Sequence, residues 1–138
     1  MSEARVNEDV VRATIVESPL GGLLGIEVES IAADRVALRL PFRPEVTTVG
    51  DIIHGGAISA LIDSAATAAA WSSADLSQNP RGTTIALTVN FIAAARAQTI
   101  VADARVIQRG TTITVCEVET RDAAGRLVAS ALVTYKLG

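Results

Sequence analysis

The only histidine of the chain, His54, opens the stretch "HGGAISALIDSAATAAAW", which runs to Trp71. The stretch is rich in alanine and has no helix breaker after Gly56, so it predicts one long helix over roughly Gly55 to Ser72. It carries a single acid, Asp63. At about 100° per residue, Ser59, Asp63 and Thr67 fall on a narrow polar stripe with Gly56 nearly in line. Ile58, Leu61, Ile62 and the alanines take the other faces. A solvated helix edge would account for the acid, but the stripe is thin and lacks the Glu/Lys pairs of a solvated face. A carboxylate among apolar residues is costly and is usually kept for a function or a partner.

The start of the same helix offers complementary chemistry. A first helical turn has free backbone N–H groups and a partial positive charge. Gly55 and Gly56 strip the side chains from that turn and allow close approach to the backbone. This makes a candidate oxyanion hole or anion seat; a tight turn needing unusual backbone angles is the other reading of the Gly-Gly pair. From Gly55 to Asp63 the helix rises about 12 Å. A catalytic carboxylate must come within about 3 Å of its proton, directly or through one water, so one small reacting group cannot touch both. Two antiparallel copies of the helix, related by a two-fold axis, would set the start of one against the middle of the other, twice. If both groups are catalytic, the site lies at a subunit interface.

These residues need elements to hold them. Asn7 to about Ser18 predicts a short amphipathic helix, with Asn7 as cap and Val10, Val11 and Ile15 near one face. "SPLGGLLG" is expected to break it. Ile26 and Val28, then Val36, Leu38 and Leu40, alternate with polar or small residues around an "AAD" turn, as in half-buried antiparallel strands. "PFRPEVTTVGD" is a long loop leading to His54. After the long helix, "TTIALTVNFI", "QTIVADARVIQ", "TITVCEVETR" and "RLVASALVTYKL" read as strands, with turns at Arg109-Gly110 and "DAAG". This order predicts an α+β fold, an antiparallel sheet curled around one central helix whose alanines permit close approach.

Composition bounds the rest. A chain of 138 residues with 49% hydrophobic and 20% charged residues suits a single globular domain over 1–138, with 1–20 as an N-terminal helix and lead-in. No apolar run reaches the ~18–20 residues of a membrane span, and the polar N-terminus does not read as a signal peptide. A lone cysteine, Cys116, reads as a small core residue and suits a reducing, cytoplasmic setting. A net charge of −3, scattered basic residues and few aromatics argue against nucleic-acid binding and offer no obvious stacking pocket. One His and one Cys cannot make a His/Cys metal site, and the acids do not cluster. The reading calls for no metal and no cofactor.

His54-Gly55-Gly56, with Asp63 nine residues after the histidine, resembles the hotdog-fold acyl-CoA thioesterases, in particular their phenylacetyl-CoA thioesterase-like branch. "TTIALTVNFIAAAR" is similar to the family strand that ends in an aromatic and a short turn, and "VIQRGTTITVCEVETRDAAGRLVASALVTYKL" to its closing hairpins. The likeness covers roughly Gly25 to Leu137. It implies a hotdog fold, a homodimer with a continuous sheet, commonly a homotetramer, and hydrolysis of an acyl-CoA thioester at the dimer interface. By this resemblance the Gly55 N–H polarises the thioester carbonyl, and Asp63 of the partner subunit acts as general base or nucleophile. Thr84 falls near a Ser/Thr that orients the attacking water, and His54 shapes the helix start. The sequence departs from the family in one place. Many relatives carry Asn six residues before the histidine and Gly three before it; here those positions are Thr48 and Asp51. Thr48 could hydrogen-bond in place of the Asn with a shorter reach.

Coenzyme A phosphates need cations or backbone N–H groups. Arg109-Gly110-Thr111 at a strand turn is the first candidate, followed by Arg81 and Arg96, with Gly56 also placed toward the substrate. Two other functions fit a hotdog protein: acyl-ligand binding without turnover, and hydration or dehydration of an acyl thioester. The single histidine, placed at the helix start, favours hydrolysis over the latter.

Overall fold

The computed structural model describes residues 5–138. Its strands are β1 (Glu27–Ala32), β2 (Arg35–Leu40), β3 (Gly82–Phe91), β4 (Ile100–Arg109), β5 (Ile113–Asp122) and β6 (Leu127–Leu137). They form one antiparallel sheet in the order β1-β2-β4-β5-β6-β3. The long helix, Gly55–Ser72, is the third α-helix of the chain, α3, after α1 (Glu8–Val11) and α2 (Pro19–Leu24).

Helix α3 touches all six strands. Six strands spaced about 4.8 Å apart span roughly 24 Å, while a helix is about 10–12 Å across. A single helix can meet them all only if the sheet curls around it, which is the hotdog architecture. The alanines make this close wrapping possible: Ala65, Ala66, Ala68, Ala69 and Ala70 are fully buried. Leu38, Leu40, Leu61, Ile62, Ile100, Val118 and Val128 fill the space between helix and sheet. Cys116 is buried there too, with its Sγ against the Ala66 carbonyl. Burial pushes its thiol up to about 11.

The N-terminal segment departs from the sequence reading in two ways. Asn7–Ser18 is not one regular helix, because α1 passes into a π-helical stretch, Arg12–Val16. Asn7 makes no side-chain cap; its amide instead donates to the carbonyls of Trp71 and Ala74, tying this segment to the end of α3. "SPLGGLLG" does more than break a helix. Ser18 accepts from the Gly21 N–H, Pro19 occupies the first turn and Gly25 ends α2 in the left-handed region at φ 75. A Cβ on Gly21 would lie 2.4 Å from the Ile15 carbonyl oxygen, so only glycine lets α2 fold back this closely.

At one edge of the sheet, β3 is exposed along most of its ten residues. Leu87 and Phe91 are 37% and 55% exposed there. A long apolar edge with an unpaired ladder is a template for another strand.

Candidate active site

The loop before α3 is pinned on both sides of His54. The His54 N–H donates to the Val46 carbonyl, the Ile53 N–H to Ala95, and the Thr48 N–H to Ile52. His54 is the N-cap of α3, and its Nδ1 accepts from the Gly56 N–H at 2.7 Å. An Nδ1 that accepts leaves the proton on Nε2. The bond also decides between the two glycines. The Gly56 amide is taken by the imidazole, whereas the Gly55 N–H has no hydrogen-bond partner among the described residues. A Cβ on Gly56 would stand 2.9 Å from His54 Nδ1, so the second glycine makes room for the ring.

Gly55 lines a cleft of about 320 Å³ together with Thr48. Ile52, Ile58, Phe91 and Ile92 supply its apolar walls. Phe91 sits over the helix start, 3.5 Å from where a Cβ on Gly55 would be. The sequence named Gly55 and Thr48 but not Phe91, which reaches them from the far end of β3.

Asp63 lies on the incompletely buried stripe of α3, with Ser59 and Thr67. Thr84 of β3 donates from Oγ1 to Asp63 Oδ1 at 2.7 Å. This fixes the carboxylate and leaves Oδ2 for other work. Because α3 is continuous from Gly55 to Ser72, the acid stands eight residues, about 12 Å, from the free amide of its own chain.

A second cavity, of about 460 Å³, opens one turn past Asp63. Thr67, Trp71 and Tyr135 line it, with Val10, Ile15 and Leu76. The scarcity of aromatics suggested no stacking pocket, yet two of them meet here: Trp71 Nε1 donates to the Tyr135 hydroxyl at 2.9 Å. They are 64 residues apart; β6 carries Tyr135 against α3, and its pairing with β3 sets Tyr135 opposite Thr84. Burial pushes the Tyr135 phenol above its ordinary value, the Trp71 hydrogen bond pulls it down, and the charge of Asp63 pushes it up again.

The candidates for phosphate binding are dispersed. Arg109, Gly110 and Thr111 line a separate cleft with Arg5, at the C-terminal end of α3. Arg109 is committed within the chain: its Nη2 donates to Asp34 at 2.8 Å and to the Ala70 carbonyl at 3.0 Å. The Gly110 N–H is taken by the Ile113 carbonyl. Arg81 is exposed. Arg96 pairs with Asp51 at 3.2 Å, beside the Gly55 cleft.

Comparison with known proteins places these features in a family. The family model of the thioesterase superfamily matches residues 50–129, a span that holds His54, Gly55, Asp63 and Thr84. A thioesterase family protein from Silicibacter pomeroyi superposes with a TM-score of 0.87 at 26% identity, over 94% of this chain and 96% of its own. Zebra fish thioesterase superfamily member 2 superposes with a TM-score of 0.82 at 26% identity, over 99% and 100%. A relative from Saccharolobus solfataricus, provisionally named an esterase, is 29% identical over 112 residues, spanning 81% of this chain and 78% of its own length.

Proposed function

This chain belongs to the thioesterase superfamily, and from that premise we propose that it hydrolyses an acyl-CoA thioester to the free acid and coenzyme A. Hydrolysis of an ester or thioester is the chemistry the family supports. The observation that carries the finer reading is the pairing of a free amide with a fixed acid on one helix. The Gly55 N–H heads α3 without a partner among the described residues, and Asp63 is held by Thr84 about 12 Å further on.

The separation makes the minimal unit a homodimer. Each site takes the Gly55 N–H of one protomer and Asp63 of the partner subunit. The exposed edge of β3 supports this, since a second copy can add its own β3 there and bring the two α3 helices alongside. Pairing of two such dimers into a homotetramer follows the family resemblance, and the lone cysteine, Cys116, suits a cytoplasmic setting. No helix of the described residues is long and apolar enough to cross a membrane.

In the reaction, the Gly55 N–H donates to the thioester oxygen, which gains negative charge as the carbonyl carbon becomes tetrahedral. If Asp63 is the general base, it takes a proton from water as the water oxygen attacks. The C–S bond then breaks and the sulfur leaves as thiolate. If Asp63 is the nucleophile, its own oxygen attacks, the C–S bond breaks with departure of the thiolate, and water hydrolyses the resulting anhydride to the free acid and the Asp63 carboxylate. Thr84 orients the carboxylate in either case. Thr48 lines the carbonyl end, where its hydroxyl can add a second donor.

The test is release of free thiol from a panel of acyl-CoAs by the purified protein. Asp63→Asn is expected to lower kcat by about 10²–10⁴, the usual contribution of a general base, with fold and oligomer retained. Full activity in Asp63→Asn would remove Asp63 from the chemistry. Coenzyme A binding without thiol release would make the protein a binding module.

A further inference from the structure

We propose that the cavity beyond Asp63 receives the acyl group, and that Trp71, braced by Tyr135, is the stop that sets the longest acyl chain accepted. This rests on the reading of Asp63 as the catalytic acid. Asp63, Thr67 and Trp71 follow one another at successive turns of α3, so the cavity begins about 6 Å from the acid and reaches Trp71 about 12 Å from it. At about 460 Å³ it is many times the ~30 Å³ share of one water, so it is no hydration niche. It is within the usual size range of a ligand pocket. Its walls are largely apolar, with Val10, Ile15 and Leu76 beside the two rings.

A thioester has two arms that leave the carbonyl in different directions. The acyl arm is apolar, whereas the pantetheine arm carries amides and ends in phosphates. The aromatic pair in the cavity wall suits the apolar arm. Trp71 Nε1 is already satisfied by the Tyr135 hydroxyl, so the indole meets a ligand with its carbon surface. The hydrogen bond also holds the indole in place. Tyr135 is 4% exposed and packs against Ala70, Ala74 and Leu137, so the brace rests on fixed core. The stop is therefore rigid, and the accepted acyl groups are compact ones, aryl or medium-chain, that end before Trp71.

The experiment measures kcat/KM for acetyl-, phenylacetyl-, octanoyl- and palmitoyl-CoA with the wild-type protein, Trp71→Ala and Thr67→Phe. The wild type is expected to prefer phenylacetyl- or octanoyl-CoA over palmitoyl-CoA. Trp71→Ala should shift the palmitoyl-to-octanoyl ratio upward by tenfold or more, because removing a pocket wall admits the added methylenes. Thr67→Phe fills the cavity on a partly exposed face, so it needs no core rearrangement. It should lower the octanoyl-to-acetyl ratio by a similar factor. If either variant changes KM equally for all four substrates, the cavity holds the coenzyme arm and the proposal is wrong. Unchanged ratios in both variants would overturn the stop while leaving the hydrolase reading intact. Absence of thiol release from every substrate by the wild type would overturn both.

Discussion

At the scale of single residues, the proposed site depends on which of two adjacent amides is free. His-Gly-Gly was legible as a helix start, and the family resemblance pointed to the Gly55 N–H, but the reason that amide is the free one was not legible. That follows from the imidazole turning back onto Gly56, a geometry set by the pinned loop at Val46 and Ala95. His54 is on this account a cap, and the account can be separated from a proton-transfer role. His54→Ala is expected to lower stability by about 1 kcal/mol, as loss of an N-cap does, while His54→Asn should recover most of it because Asn caps well. Thermal unfolding of the two variants checks this. A drop of about 10²–10⁴ in kcat for the well-folded His54→Asn protein would instead mark direct proton transfer. Asp63 drew notice in the sequence for a different reason: a lone carboxylate on an alanine-rich helix has few cheap explanations, and the acid role proposed for it rests on that. Its partner Thr84 came through family resemblance, and the Trp71–Tyr135 pair did not show at all, because Tyr135 reaches the Trp71 face of α3 only through the folding of β6.

At the scale of elements, α3 and the strands were legible because period and composition agree there. The N-terminal segment was not, because its conformation is set by tertiary contacts. Asn7 reaches the end of α3 instead of capping its own helix, and Gly21 turns α2 back onto the Ile15 carbonyl. A second tertiary tie lies at the C-terminal end of α3. Asp34, in the β1–β2 turn at φ 63, accepts from Ser73 and Arg109, and Arg109 also holds the Ala70 carbonyl. Burial opposes ionisation of Asp34, but the hydrogen bonds from Ser73 and Arg109 and the charge of Arg109 outweigh it and hold its carboxyl below the usual value. The stability this contributes is full above the ordinary carboxylate pKa and is lost as pH falls through the lowered one. Arg109→Ala should therefore cost about 1–2 kcal/mol at neutral pH, a value between exposed and buried pairs. In denaturant titrations the difference should shrink in acid. Cys116 gives the opposite sign. Its thiol is raised from 9.0 to about 11, so its neutral form favours the fold, and its contribution is lost as pH rises through that interval. Iodoacetamide at pH 8 should leave Cys116 unmodified in the native protein and modify it at the ordinary rate in denaturant.

At the scale of the whole molecule, the proposal makes the active site a property of two chains, and this can be tested without an image of the dimer. Two inactive variants are needed, each lacking a different half of the site. Asp63→Asn removes the acid. Gly55→Pro removes the free N–H at a position where the helix tolerates it: Gly55 is the first residue of α3, where proline is favoured. His54 before it is already extended at ψ 132, as a residue preceding proline prefers. A Cβ there meets only Phe91, at an ordinary 3.5 Å. Each homodimer should be nearly inactive. In a mixed dimer, the Asp63→Asn chain still offers its Gly55 N–H, and the Gly55→Pro chain still offers its Asp63. One of the two sites is then complete, and the other lacks both groups. Co-expression with random pairing makes half the molecules mixed, each with one working site, so thiol release should recover to about a quarter of the wild-type rate. A site built within one chain would show no recovery, because every chain in the mixture carries a lesion. Recovery would also require the β3 edges to meet, so Leu87→Lys in both variants, which places like charges along that edge, should abolish it.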